Sequence, residues 1–215
     1  DIVMDEYNKI PSEEAQSIYL TICTFHRVGT YARAGNLSRL HNVNFSYFNE
    51  KLFKPLESVV YTKRNYRIND YTFVTRHPYI AEMVFEQVYV NEDDRYNKYI
   101  EVLAKLDIDY ESDLLVFNEL TNARRLMEIF KDNNKIRSIF QIAKEGAGDD
   151  PFVMQQESIF EMRAEDGDFH KSESLLQDAT EIDPDNIFFL HTRAELFLKR
   201  AEKTAEYLIS KFNID

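Results

Sequence analysis

Only one cysteine, Cys23, occurs in 215 residues. A lone thiol excludes an internal disulfide framework and the paired-cysteine spacing of a zinc module. Its neighbours Ile22 and Phe25 mark it as a buried structural thiol, and its isolation fits a reducing, cytoplasmic setting. Glycine and proline are scarce too, five of each, which argues against disorder and against an all-β fold rich in tight turns. No apolar run approaches the ~18–20 residues that span a bilayer, and no signal peptide is visible, so no membrane partner is expected. The first residue is Asp1 rather than methionine, as expected of a piece of a longer protein.

Chemistry-bearing motifs are missing as well. A phosphate loop requires G-x-x-x-x-G-K-[ST]. The close glycine pair Gly146-Ala147-Gly148 is followed by Asp149 and Asp150, whose charge repels phosphate. There is no H-E-x-x-H, and His26, His41, His77, His170 and His191 lie scattered. The acid pairs Glu13-Glu14, Asp93-Asp94 and Asp149-Asp150 read as solvated caps and loops rather than catalytic dyads. Hence no catalytic residue, no metal site and no resident cofactor is expected, and the chain reads as a regulatory or binding module rather than an enzyme.

What is present is apolar material and unevenly spread charge. An apolar fraction of 44%, with 16 Phe and 13 Tyr, suffices for a core. The net charge is −12, yet residues 25–80 carry nine Lys/Arg against three Asp/Glu, a net +6. Residues 1–24 carry −4 and residues 81–215 carry −14. A basic module thus precedes an acidic one, with a boundary expected near Tyr89–Asn91: domain 1–90, then domain 91–215.

The fold class expected is mostly α, with a little β. Pro11-Ser12-Glu13-Glu14 starts a helix that runs to about Arg27 on Ala15, Ile18, Tyr19, Ile22 and Phe25, and Gly29 ends it. Ala34-Gly35-Asn36 reads as a turn, Leu37–His41 as a short helix capped by Asn36, and Phe45–Phe53 as a third helix closed by Pro55. Ser58–Thr62 and Tyr71–Thr75 alternate as the strands of a hairpin, and Pro78 opens an amphipathic helix on Ile80, Met83, Val84 and Val88. Three helices, a hairpin and a further helix is the order of a winged helix. After Asn91 only helices are expected: Tyr96–Leu106, Leu114–Phe130, Ile136–Lys144, Phe152–Ala164, Phe169–Ile182, Ile187–Leu198 and Ala201–Phe212. Asn133 and Gly167, Ser138 and Ser172, and Ile142 and Leu176 each recur after 34 residues, the period of tetratricopeptide helix pairs. Gly167, Phe169, Leu176, Ala179 and Pro184 resemble the second helix of such a repeat, with Ser172 where alanine is usual. About three degenerate pairs over 114–215 form an α-α superhelix, because one pair cannot bury its own apolar face.

Two candidate sites follow. Arg76 and His77 stand between a strand and a helix N-terminus that already carries partial positive charge, a setting suited to an anion held by another module. The bland alternative makes His77 a helix cap and pairs Arg76 with an acid such as Glu82 or Asp70. The second candidate is nucleic acid. Lys51 and Lys54 on the third helix, with Lys63, Arg64 and Arg67 on the wing, could clamp phosphates. The third helix, however, is dominated by Phe45, Tyr47, Phe48, Leu52 and Phe53, so a winged-helix DNA-binding regulator with a helical effector domain is the runner-up, and a plain helical interaction module the third reading.

Residues 10–89 resemble the winged-helix domain of STAND-class signalling NTPases, the class that includes plant and animal innate immune receptors and bacterial defence ATPases. The resemblance rests on 11–27 (PSEEAQSIYLTICTFHR), Tyr31-Ala-Arg-Ala-Gly-Asn-Leu37, 53–60 (FKPLESVV) and 75–86 (TRHPYIAEMVFE). In that family a histidine after the last winged-helix strand touches the β-phosphate of ADP held by the upstream NTPase domain. The usual pattern is Met-His-Asp; here Arg76-His77-Pro78 keeps only the histidine. The resemblance implies that ADP or ATP binds in the intact protein, that an upstream NTPase domain is the partner of His77, that the helical repeats bind a protein ligand, and that the setting is antiviral defence signalling.

Overall fold

A computed structural model describes residues 2–44, 47, 53–66 and 70–212. It is mostly helical, with one small antiparallel sheet of three strands. The expected third helix lies largely outside the described residues, and so do Lys51 and Arg67. The chain divides into two compact units, 1–120 and 121–215. That division falls C-terminal to the charge step at Tyr89–Asn91.

In the first unit α1 (Ile2–Asn8) precedes α2 (Glu13–His26). Ser12 Oγ accepts the Ala15 N–H at 3.2 Å and Glu13 and Glu14 occupy the first turn, which satisfies and charges the helix start. Ile18, Ile22, Cys23 and Phe25 are wholly buried. Gly29 closes the segment at φ 84°, a left-handed position that suits a residue without Cβ. β1 (Ala32–Arg33) leads into α3 (Ala34–His41). The stretch 34–36 is therefore the first helical turn, not a free turn, because the Asn36 side-chain oxygen accepts the Arg33 N–H at 2.8 Å. A single turn, α4 (Lys54–Leu56), is followed by β2 (Val60–Asn65) and β3 (Asp70–Thr75). β3 is central, with Ala32 and Thr62 both opposite Phe73. Next, α5 (Pro78–Val88) packs along α2 through Ala81, Val84 and Phe85. α6 (Glu92–Leu103) and α7 (Glu111–Leu120) complete the unit.

The second unit contains α8 (Ala123–Ile129), α9 (Asn133–Ala147), α10 (Pro151–Arg163), α11 (Phe169–Ile182) and α12 (Ile187–Phe212). Two expectations are corrected here. The span 114–130 is two helices, since Asn122 caps a new one by accepting the Arg125 N–H at 3.2 Å. The span 187–212 is one helix, since nothing between Leu198 and Ala201 breaks it.

α10 is buried on nearly every side, and its polar side chains are each satisfied. Gln156 Oε1 accepts the Ala123 N–H at 3.0 Å, and Gln155 donates to Thr192 Oγ1 at 2.8 Å. Ser158 and Ser172 share a hydrogen bond of 2.7 Å, and the Ser172 hydroxyl donates to the Ser158 carbonyl at 3.0 Å. Glu157 takes Lys144 and Lys171 at 2.7 and 2.8 Å. Glu161 takes both forks of Arg137 at 3.1 Å and Lys171 at 2.8 Å. Gly167 makes the turn into α11 possible: a Cβ there would lie 2.0 Å from the Glu161 carbonyl oxygen.

Candidate functional site

The corner between β3 and α5 is held by a short chain of hydrogen bonds. Pro78 occupies the first helical position, where its missing N–H costs nothing. His77 is the N-cap, in extended backbone at φ −154° and ψ 144°. Its Nδ1 accepts the Tyr79 N–H at 3.1 Å. An accepting ring nitrogen carries a lone pair, so the neutral ring keeps its proton on Nε2. The ring is exposed, and among the described residues no partner is seen for that Nε2–H.

Behind it, the Thr75 hydroxyl donates to the His77 carbonyl at 2.9 Å. It must therefore accept from His26, whose Nδ1 lies 2.7 Å away. His26 is half-buried at the end of α2. Burial, then the nearby Lys63 and His77, pull its pKa below the usual imidazole value. Thr75 thus links the His26 ring to the backbone carbonyl of His77 at the start of α5.

Arg76 turns the other way. Its Nη2 donates to the Ser58 carbonyl at 2.9 Å and meets the Glu6 carboxylate at 2.7 Å, and that hydrogen bond raises its pKa further. Neither acid expected from the sequence is the partner seen. Glu82 is instead held by both forks of Arg27, at 2.8 and 2.7 Å. Arg27 also lies 4.1 Å over the Phe85 ring and donates to Tyr99 Oη at 3.0 Å, so the C-terminal end of α2 is clamped to α5 and α6.

No family model, curated protein or solved structure matches this chain.

The other basic candidates lie on or near the hairpin. Lys63 and Arg64 are exposed on β2, with Arg64 5.3 Å over the Tyr66 ring. Lys54 is exposed in α4. Tyr61, Tyr66 and Tyr71 are exposed near them. Among the described residues no group of three or more His, Cys, Asp or Glu is arranged to hold a metal, and no helix is long and apolar enough to cross a membrane. His26, Thr75 and Glu6 were not legible as members of the site, because they come from distant parts of the chain and meet His77 or Arg76 only once α1, α2 and β3 are packed. The acid pairs stand at helix starts: Glu13-Glu14 and Asp93-Asp94 lie in first turns, and Asp150 caps α10.

Proposed function

We propose that this chain is a non-catalytic regulatory portion of a STAND-type NTPase. In this reading the helices and hairpin of the first unit form a winged helix that reports nucleotide state, and the helices of the second unit are degenerate tetratricopeptide-like pairs that bind a protein ligand. The observation that carries it is the His77 ring: capped on Nδ1, it presents an Nε2–H to solvent at a helix N-terminus, with His26 behind it through Thr75. Such a donor suits the β-phosphate of ADP carried by an upstream NTPase domain. A charge-assisted hydrogen bond of this kind contributes about 1.5–3 kcal/mol. That shifts a two-state domain arrangement by about one to two decades.

In the intact protein, His77→Ala should weaken ADP binding by about 10- to 100-fold by titration calorimetry and raise basal signalling. ADP affinity equal to that of the parent protein defeats the role assigned to His77. A second reading, a winged-helix DNA-binding regulator, is favoured by the exposed Lys63 and Arg64 beside Tyr61, Tyr66 and Tyr71. It requires duplex binding that weakens steeply with salt and that Lys63→Glu with Arg64→Glu abolishes in a mobility-shift assay.

A further inference from the structure

α12 carries a face that the rest of its unit leaves uncovered. The caps of α10 and α12 are alike: Asp150 accepts the Phe152 N–H at 2.9 Å and Asn186 accepts the Phe188 N–H at 3.0 Å. Aligned on these caps, Val153, Gln156 and Phe160 of α10 correspond to Phe189, Thr192 and Leu196 of α12, and all six are buried. In the same alignment Met154, Ser158 and Met162 correspond to Leu190, Ala194 and Leu198. On α10 those three meet Ala179, Ser172 and Leu176 of the antiparallel helix α11. On α12 their counterparts are exposed. α12 therefore presents the surface that α10 uses to seat an antiparallel helix, with nothing among the described residues seated on it.

The stripe continues at helical spacing through Phe197, Ala201, Ala205, Leu208 and Phe212, and every residue from Ala201 to Phe212 is exposed. From Leu190 to Phe212 it runs about 33 Å at 1.5 Å per residue. Arg193 and Lys211 lie 5.9 and 5.8 Å over the Phe197 and Phe212 rings. Read in the two directions from Ala201, the stripe is complementary to itself. In antiparallel register Ala194 falls opposite Leu208, Phe197 opposite Ala205, Leu190 opposite Phe212, and Ala201 opposite its own copy. Phe197 and Leu208 each meet an alanine on either side of the Ala201 centre, and Leu190 meets Phe212 at each end.

We propose that α12 forms an isologous, antiparallel contact with α12 of a second copy of this chain, on a two-fold axis at Ala201. Sedimentation equilibrium of the whole chain should show a reversible monomer–dimer equilibrium. Phe197→Lys combined with Leu208→Lys should weaken it at least about tenfold, as expected when central apolar anchors are lost, with an unchanged circular dichroism spectrum because both side chains are exposed. Mild oxidation of Ala201→Cys should give a covalent dimer, whereas the parent chain, with Cys23 sealed in its core, should give none. Ala194→Cys should cross-link to Leu208→Cys and not to itself. A chain that stays monomeric at every accessible concentration overturns the proposal. So does preferential self-cross-linking of Ala194→Cys, the mark of a parallel pair, or a dimer unaffected by the two lysines.

Discussion

At the scale of single residues, the first unit turns on Arg27. Its side chain is 7% exposed and its fork is filled by Glu82, which is about one-third exposed at 33%. Removing the cation leaves a half-shielded carboxylate, loses the stacking on Phe85 and frees the Tyr99 hydroxyl. Arg27→Ala should lower stability by about 2 kcal/mol in urea titrations, less than a fully buried pair because water reaches Glu82. Gly167→Ala should cost more, about 2–4 kcal/mol, because the clash is with backbone and no side chain can rotate out of the way. The value of Gly167 was legible in the sequence from its place between two periodic segments. The cap made by His77 was legible, as a histidine before Pro78 at a helix start, but the partner of Arg76 was not. Glu6 comes from an N-terminal helix that carries no buried residue, and a helix without an apolar face leaves no periodic signal.

The elements show the same division. α11 spans Phe169–Ile182, the range its Gly167 and Pro184 punctuation gives. Where punctuation is weak, helix ends are not legible. Between the expected helices ending at Leu198 and starting at Ala201, all four residues Leu198-Lys199-Arg200-Ala201 favour helix, and the backbone continues. Thr121-Asn122 looked like helix interior, yet a side chain that accepts from its own backbone starts a new helix there. β1 was missed because two residues are too few for alternation. α10 is the element that best repays a test. Its all-round burial makes its polar pairs obligatory, so Ser172→Ala should cost about 1–2 kcal/mol by stranding the Ser158 hydroxyl. Ser158→Ala with Ser172→Ala together should recover much of that loss, since two methyls need no partner. A double-mutant cycle by chemical denaturation measures the difference.

For the molecule as a whole, the two units should differ in their response to acid. In the first, His41 lies within 2.9 Å of Thr21 Oγ1, which also accepts from the buried Lys98 at 3.0 Å. Burial first, and then the Lys98 charge, pull His41 down from 6.5 to about 4. His26 is shifted in the same direction. A histidine held neutral in the folded state stabilises fully above its unfolded value. That contribution is lost as the pH falls from 6.5 towards 4, by about 3 kcal/mol for His41 alone. In the second unit the shifted groups include Glu161, which Arg137 and Lys171 hold below the usual carboxylate value of 4.5 despite its burial. Its contribution is intact above 4.5 and fades only below it. Peptide-resolved hydrogen exchange at stepped pH should therefore show residues 1–120 losing protection between pH 6.5 and 4, before residues 121–215 do. His41→Gln should flatten the early loss.

The solitary thiol gives the first unit a built-in clock. Cys23 has no exposed surface, and burial pushes its pKa up, so an alkylating reagent can reach it only during the moments when α2 comes away from β3 and α5. With no other sulfhydryl in the sequence, the labelling half-time at saturating reagent reads out the frequency of that excursion directly. Under the proposed function, a nucleotide-bearing neighbour that steadies the His77 corner should lengthen the half-time, while the helices after Leu120 remain silent to the reagent.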